Sequence, residues 1–391
     1  MRLPHSTLCM SALTRLLMGC WLLVLSGCVE PYTPEAVTAP SNYLVVNGFI
    51  NGNGTTRIRL SRSVQISSPS VFPAERRASV AIQSLSGQRY PLTETDTAGL
   101  YTSKQLTLPA NQSYRLYIRT TSGREYASDY APLKLTPAID QLQGRVQSNG
   151  VQLYLSTHDD QNLTQYYRWE YEETWEFTSA YESLYRYAGN NRMVQRKEDI
   201  YHCWRFIPST TIVTTSTVRL AQDAVRDYRL LFIPLASERL LSRYSVLVRQ
   251  YALSQAEFDY WEAVKKNTEN IGTLFDPLPS QIQGNVHSLT DAQEPVLGFV
   301  GAATVVGKRI FITRADLPRD WIPQHEGYEL CTGLDYWPNS IKYKDYTMDD
   351  MFGDSVYRTP VARQGTVYTM QTMACVDCRL RGTNHKPSYW P

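Results

Sequence analysis

The chain has 391 residues, with 39 basic and 37 acidic side chains, 8 Trp and 27 Tyr. Its formal net charge of +2 provides no strong positive field, which argues against a nucleic-acid-binding protein. The length is sufficient for two or three domains with buried cores, and the many aromatic side chains favour β-strands.

The first 28 residues have the pattern of a bacterial lipoprotein signal. Arg2 and Arg15 precede an apolar run over residues 16–25, which ends in Leu25-Ser26-Gly27-Cys28. The run is too short to span a bilayer, which needs roughly 20 residues. We therefore expect residues 1–27 to be removed and Cys28 to carry the lipid that anchors the mature chain. The alternative is a plain cleaved signal peptide with an accidental cysteine.

The next segments are predicted to be a tether and a β-sandwich. Residues 28–41 hold three prolines without apolar periodicity, as in a tether. Over residues 42–133, short alternating stretches separated by Gly and Asn turns predict an immunoglobulin-like sandwich. Ile58 and Leu60, for example, alternate with arginines, which is typical of a strand with one face in water.

Residues 134–391 are predicted to form a second β-rich, sandwich-like domain, so that the fold class is mainly β with one or few helices. A helix is predicted near residues 254–271. There Ser254 and Glu257 have the spacing of a capping box, and Gly272 stands as the stop signal.

The region after this helix is predicted to be less regular. Residues 296–304 and 309–313 are expected to form a hairpin joined through Gly307. From Arg314 onward the chain is expected to be loop-rich and to need its cysteines for order.

Four cysteines follow Cys28, an even number in an exported chain, and this favours two disulfides among Cys203, Cys331, Cys375 and Cys378. The Cys-Val-Asp-Cys spacing at the end of this set leaves a zinc site or a redox motif as alternatives. Pairing across the chain is favoured over a Cys375–Cys378 ring, and three connectivities remain open.

The stretch from Trp169 to Glu176 combines acidic and aromatic residues in a predicted strand. Alternation places Glu170, Glu172 and Glu176 on one face and the aromatic side chains on the other. Paired carboxylates beside aromatic residues are found in glycoside hydrolases. A half-exposed strand with an acidic outer face explains the pattern equally well.

Other chemical motifs are weak. His158-Asp159-Asp160 is compatible with a cation site but is more typical of a turn. The sequence contains no Gly-x-Ser-x-Gly elbow, no His-Glu-x-x-His motif and no phosphate-binding glycine loop. We therefore predict no catalytic residue, no metal site and no cofactor.

A series of landmarks along the chain resembles one known family. After Cys28 they are Leu44-Val-Val-Asn-Gly48, Tyr167-Arg-Trp-Glu170, Glu173-Thr-Trp-Glu176, Cys203-Trp204, Leu253-Ser254, Tyr260-Trp261, Phe275-Asp-Pro277, Gly284-Asn285, Gly298-Phe299, Lys308-Arg-Ile-Phe-Ile312, Cys375-Val-Asp-Cys-Arg379 and Pro387-Ser-Tyr-Trp390. Together they are similar to the Bacteroidota lipoprotein family catalogued as domain of unknown function 4249. The resemblance implies an outer-membrane-anchored protein that is often encoded beside TonB-dependent receptors. It implies no catalytic residue.

The favoured function is a non-enzymatic binding or accessory lipoprotein that works with a TonB-dependent outer-membrane transporter. The alternatives are a cell-surface hydrolase that acts on glycan or peptide, and an adhesin-like structural protein. Membrane contact is expected through the N-terminal lipid, on a face of the outer membrane that the sequence leaves open. The ligand has no sequence signature, and the candidate binding aromatics are Trp169, Tyr171, Trp175 and Trp204.

Overall fold

The chain folds mainly into β-strands, as its alternating patterns and aromatic content predict. The computed structural model describes residues 42–64, 72–269, 282–338, 343, 345–353 and 358–391. The predicted signal, the predicted tether and Cys28, the predicted lipidation site, lie outside these ranges. Residues Asn42–Pro391 form one compact unit. No helix within the described ranges is long enough and apolar enough to cross a membrane.

The N-terminal strands build the first β-sandwich. Side-chain alternation decides the faces: in the second strand, Ile58 and Leu60 are buried while Arg57 and Arg59 face water, as predicted. The core between the faces combines aliphatic side chains with fully buried tyrosines such as Tyr114. The strands are β1 (Leu44–Asn51), β2 (Thr55–Arg62), β3 (Ser79–Ser84), β4 (Arg89–Glu94), β5 (Leu100–Gln105), β6 (Ser113–Arg119), β7 (Glu125–Ser128) and β8 (Ala131–Pro132).

Two further sheets follow and form the second sandwich. The three-stranded sheet contains β9 (Ile139–Gln147), β10 (Gly150–His158) and β16 (Ala224–Pro234). The larger sheet contains β11 (Tyr166–Thr178), β14 (His202–Pro208), β15 (Val213–Ser216) and β17 (Arg243–Ala252), while β12 (Tyr185–Tyr187) pairs with β13 (Met193–Gln195). Leu153, Trp169 and Val248 lie in one core cluster, so the two sheets share a buried interior.

Helix α1 (Gln255–Glu269) directly follows β17 and confirms the helix predicted near this position. The Ser254 hydroxyl accepts a hydrogen bond from the Glu257 N–H at 3.2 Å, which satisfies one of the free amides of the first turn. The Phe258 ring lies 5.0 Å from the Tyr166 ring, and this contact docks the helix on β11. The predicted stop at Gly272 lies outside the described residues.

The chain then returns to the first sandwich. Strand β18 (Val286–Ser288) pairs with β7, and β19 (Val296–Leu297) and β20 (Ala302–Ala303) pair in parallel with β1. A parallel partner needs a long crossover connection, so it comes from a distant part of the sequence. The predicted boundary between residues 42–133 and 134–391 therefore does not separate the two sandwiches. The 11-stranded sheet of the first sandwich takes strands from both sides of it.

The hairpin predicted around Gly307 is wrong. Strand β21 (Val305–Thr313) runs through Gly307 without a turn and pairs antiparallel with β17 over its whole length. The alternating pattern on both sides of the glycine belongs to one strand, and the glycine pairs with Arg249 inside the ladder. Strand β21 completes the five-stranded sheet that contains β11.

Two disulfides hold the C-terminal part, as predicted. Cys203 on β14 is bonded to Cys378, and Cys331 is bonded to Cys375, which settles the connectivity that the sequence leaves open. The regular elements here are β22 (Asp335–Trp337), α2 (Met348–Phe352), β23 (Thr359–Gln364), β24 (Val367–Gln371) and α3 (Met373–Val376). Short 3-10 helices cover Glu238–Leu240, Arg314–Asp316 and Cys378–Leu380.

Candidate functional site

The four aromatic side chains predicted to bind a ligand are instead buried in the protein. Exposure is 1% for Trp169, 9% for Tyr171, 3% for Trp175 and 8% for Trp204. The alternation predicted for β11 is correct, but its aromatic face is the inner one. The indole of Trp169 donates to Gln250 at 2.8 Å, deep in the core. These rings hold the sheets together and offer no face to a ligand.

The neighbouring carboxylates Glu172 and Glu173 have structural roles. Glu172 lies on the outer face, 3.7 Å from Arg309. Glu173 is buried on the inner face, where it accepts hydrogen bonds from Arg239 at 2.7 Å and from the Tyr244 hydroxyl at 2.8 Å. Because the two carboxylates lie on opposite faces of one sheet, they cannot flank the same scissile bond.

The His158-Asp159-Asp160 motif forms a turn. The Asp159 carboxylate accepts backbone N–H bonds from Gln161 and Thr164, and this hydrogen bonding lowers its pKa despite partial burial. His158 contacts Asp140 at 2.7 Å, and this hydrogen bond raises the pKa of the imidazole. Within the described ranges, no group of three or more His, Cys, Asp or Glu side chains is arranged to hold a metal ion.

A cavity of about 520 Å³, here named the α1 cavity, lies between the first sandwich, β11 and α1. Its lining comes from β1, β2, β11, the β14–β15 connection, α1 and the β19–β20 connection. The lining side chains include the apolar Phe49, Tyr260, Trp261, Val264 and Phe299, the polar Asn47, Ser209, Thr210 and Thr211, and the charged Arg57, Arg168, Glu170 and Glu257.

Aromatic rings form much of the apolar lining. The Tyr260 ring lies 5.3 Å from the Phe299 ring and 5.6 Å from the Trp261 ring. All three side chains are only partly buried, so part of each ring remains open to the cavity. Such rings supply a large contact area and have few torsional degrees of freedom. Aromatic rings therefore commonly line small-molecule sites.

Arg168 supplies a positive charge at the base of the cavity. Its guanidinium lies 4.2 Å from the centre of the Trp261 ring and 4.9 Å from that of Tyr251. The Glu170 carboxylate lies 3.0 Å from the Arg168 guanidinium through one oxygen, and its other oxygen accepts the Tyr251 hydroxyl at 2.7 Å. The buried Nε of Arg168 has no hydrogen-bond partner among the described residues.

Glu257 supplies an acid in an unusual environment. It is 7% exposed, and burial raises the pKa of its carboxyl to about 7, with the nearby Arg168 and Trp261 acting in the opposite direction. The carboxyl lies against the backbone of Gly301, where a Cβ would overlap Oε2. Glu257 therefore packs α1 against the β19–β20 connection, and a side chain at position 301 would require the Glu257 carboxyl to move.

A second cavity of about 570 Å³ lies along residues 282–297. Its lining is mostly aliphatic and polar, and its acidic group, Glu294, is already engaged by the Tyr126 hydroxyl at 2.8 Å and by Arg124 at 3.0 Å. The α1 cavity is the better candidate because aromatic rings and buried charged groups converge there.

The sequence signal for the α1 cavity lies in stretches that are far apart. The landmarks around Gly48, Glu170, Trp261 and Phe299 all contribute to its lining. These stretches carry local patterns, and their meeting in space depends on the tertiary fold. The spacing of a capping box already explains an acid at Glu257, so the burial of this side chain in the cavity has no separate sequence signal.

Comparison with known proteins identifies the family of the chain. None of the curated proteins matches the chain. A two-domain fibronectin type III segment from chicken tenascin is 11% identical, with a TM-score of 0.17, and the match covers 54% of this chain and 90% of that segment. Chitinase ChiA74 from Bacillus thuringiensis is also 11% identical, with a TM-score of 0.15, over 50% of this chain and 28% of the chitinase.

The family model described as "Domain of unknown function (DUF4249)" matches residues 29–309, which is more than half of the chain. This range includes every strand of the first sandwich, α1 and every residue of the α1 cavity discussed above, and it ends within β21 of the five-stranded sheet. The chain therefore belongs to the DUF4249 family.

Proposed function

We propose that this protein is a lipid-anchored, non-enzymatic binding protein of the outer membrane that holds a small ligand in the α1 cavity. The observation that carries the proposal is the convergence of aromatic walls, Arg168, Glu170 and Glu257 on one concave site of about 520 Å³. Sites for small molecules are usually concave, largely apolar and furnished with a few placed polar groups.

Binding at the cavity is tested by filling it. Val264→Trp places an indole in the cavity from α1, whereas Lys266→Trp adds the same indole at an exposed position of the same helix. Each folded protein is incubated with small molecules extracted from the cell envelope, washed and examined by native mass spectrometry. We expect the wild type and Lys266→Trp to retain a molecule that Val264→Trp loses. Equal retention, or no retention by the wild type, contradicts the proposal.

The anchor is supported by the signal ending at Cys28 and by Val29 in place of an aspartate directly after it. Aspartate at that position often retains lipoproteins at the inner membrane. Cys28→Ala is expected to move the protein from the outer-membrane fraction to the soluble envelope fraction. An unchanged outer-membrane pool of the variant contradicts lipid anchoring.

The proposed partner is a TonB-dependent transporter, which the family resemblance supports. The tagged, detergent-solubilised protein is purified from its own cells, and the co-purifying proteins are identified against a Cys28→Ala control. Enrichment of a β-barrel receptor supports an accessory role in uptake. If no such receptor is enriched, the partner proposal fails while the binding proposal retains its separate test.

A surface hydrolase is the second candidate, and one observation favours it. Glu170 and Glu257 line the same cavity, and the raised pKa of Glu257 keeps part of this carboxyl protonated near neutral pH, as a general acid requires. The test is an activity screen on glycan and peptide substrates. Loss of a measured activity in both Glu170→Gln and Glu257→Gln, with Glu172→Gln as the matched control on β11, would favour this alternative.

A further inference from the structure

We propose that the ligand of the α1 cavity is a neutral, polyhydroxylated molecule of the size of a mono- or disaccharide. The inference rests on the binding function proposed above and names its ligand class. It follows from the way the lining pairs its own charges, and from the distribution of ring faces and hydrogen-bonding groups around the cavity.

The charged groups at the base of the cavity are already matched with one another. Both oxygens of Glu170 are engaged, one by Arg168 and the other by the Tyr251 hydroxyl. Arg168 is also covered by the rings of Tyr251 and Trp261. A charged ligand group would lose its hydration here while the charge of Arg168 is already balanced by Glu170, and that loss is costly. The Nε–H of Arg168, which has no partner among the described residues, can be satisfied by the oxygen of a neutral hydroxyl group.

The remaining charged lining residues do not change this balance. Glu257 is buried against Gly301, in surroundings that favour its neutral form. Arg57 is exposed to water, where screening keeps its attraction for an anion weak. The interior therefore favours a neutral ligand over an anion or a cation.

The neutral polar lining suits hydroxyl groups. The Ser209 hydroxyl accepts the Tyr171 N–H at 3.0 Å and still has its own proton to donate. Asn47 and Thr210 are exposed at the cavity and bring an amide and a hydroxyl, groups that both donate and accept. A ligand with many hydroxyls can satisfy such groups without carrying charge.

The aromatic side chains of the lining suit the apolar C–H face of such a ligand. The partly open ring of Tyr260 lies within 6 Å of the rings of both Trp261 and Phe299. The C–H face of a sugar ring packs on aromatic faces of this kind while its hydroxyls point sideways. The volume of about 520 Å³ lies in the ordinary range of small-ligand sites.

The test compares neutral sugars with charged sugars that have the same ring structure. The mature, detergent-solubilised protein is titrated by calorimetry with a panel of neutral mono- and disaccharides, and with the uronic acid and amino sugar counterparts of each. We expect at least one neutral sugar to bind, about tenfold or more tightly than its two charged counterparts, because a buried unpaired charge is penalised. Tyr260→Leu should weaken that binding by about tenfold. Tyr336→Leu, which replaces an exposed tyrosine outside the cavity, should leave the affinity for the sugar unchanged.

The outcomes separate this inference from the binding function. If the cavity retains an envelope molecule that Val264→Trp loses, yet no neutral sugar binds, the ligand class is wrong and the binding function stands. Tighter binding of a uronic acid or an amino sugar also overturns the ligand class. If neither an envelope molecule nor any sugar is retained, both proposals fall.

Discussion

At the scale of single residues, the α1 cavity contains ionisable side chains that lose favourable hydration when they are buried. Glu257 is the clearest example, because a carboxyl that is 7% exposed loses most of its hydration. A hydrophobic side chain would pack there at lower cost. The acid at this position is therefore a candidate for function, since perturbed titratable groups concentrate at functional sites.

Glu257 should make stability depend on pH. Its pKa is raised from 4.5 to about 7 in the folded protein, so the folded state binds the proton more tightly than the unfolded chain does. Stability should therefore fall as pH rises from 4.5 to above 7, by about 3 kcal/mol from this group. Between pH 5 and pH 8, the free energy of unfolding, measured with denaturant, should fall less for Glu257→Gln than for the wild type. For the control Asp259→Asn, at an exposed position, it should fall as much as for the wild type. Equal losses in all three contradict the prediction.

Glu238 is a second buried carboxylate, and it depends on one arginine. It is 0% exposed and bound by both terminal nitrogens of Arg381, at 3.0 and 3.1 Å, and by the indole of Trp175 at 3.1 Å. The pair links the 3-10 helix before β17 to residues 378–391, here named the C-terminal segment. Removing only one partner of such a pair leaves an uncompensated buried charge.

Arg381→Met should therefore destabilise the protein by about 3–5 kcal/mol in denaturant unfolding. The exposed pair of Arg145 and Asp227, 2.5 Å apart, is the control, and Arg145→Met should cost less than about 1 kcal/mol. Adding Glu238→Gln to Arg381→Met should restore part of the lost stability. No recovery would show that packing, and not the orphaned charge, causes the loss.

At the scale of elements, the outer face of the five-stranded sheet is covered by the C-terminal segment. The Arg309 guanidinium lies 3.6 Å from the centre of the Tyr389 ring, and the Tyr389 hydroxyl lies 2.9 Å from that of Thr174. Trp390 packs against Phe311 with 5.6 Å between the rings. A face predicted to be acidic and wet is thus partly a packing surface.

Trp390→Ala should cost about 3 kcal/mol or more, because the side chain is 6% exposed and its removal leaves a cavity on β21. Tyr336→Ala, which truncates a ring that is 52% exposed, should cost far less. Thermal unfolding of both variants checks the difference. Equal effects would mean that the C-terminal segment does not hold the sheet.

At the scale of the whole molecule, the disulfides close loops of very different length. Cys203 and Cys378 are 175 residues apart, and Cys331 and Cys375 are 44 apart. In the chain-entropy description, the longer loop restricts the unfolded chain more. The first bond also ties the C-terminal segment to β14, which belongs to the main core.

Cys203→Ala/Cys378→Ala should therefore destabilise the protein more than Cys331→Ala/Cys375→Ala, each by about 2–5 kcal/mol. Hydrogen exchange should localise the first loss of protection to residues 314–391 in both variants. If exchange instead rises first in the N-terminal sandwich, the bonds do not act as cross-links of the C-terminal part.

Local patterns in the sequence determined the mainly β fold, the alternating faces of β11, the start of α1 at Ser254 and the set of four bonded cysteines. These features depend on side-chain period, on capping and on redox compartment, all of which act over a few residues or through composition. The tertiary structure alone decided that residues 286–303 return to the first sandwich, which cysteines pair, and that Trp169 and Trp175 face the core. It also decided that Arg168, Glu257 and Phe299 meet in one cavity. These outcomes depend on which distant segments pack together, and a period-two pattern shows that a strand has two faces without showing which face another sheet will cover.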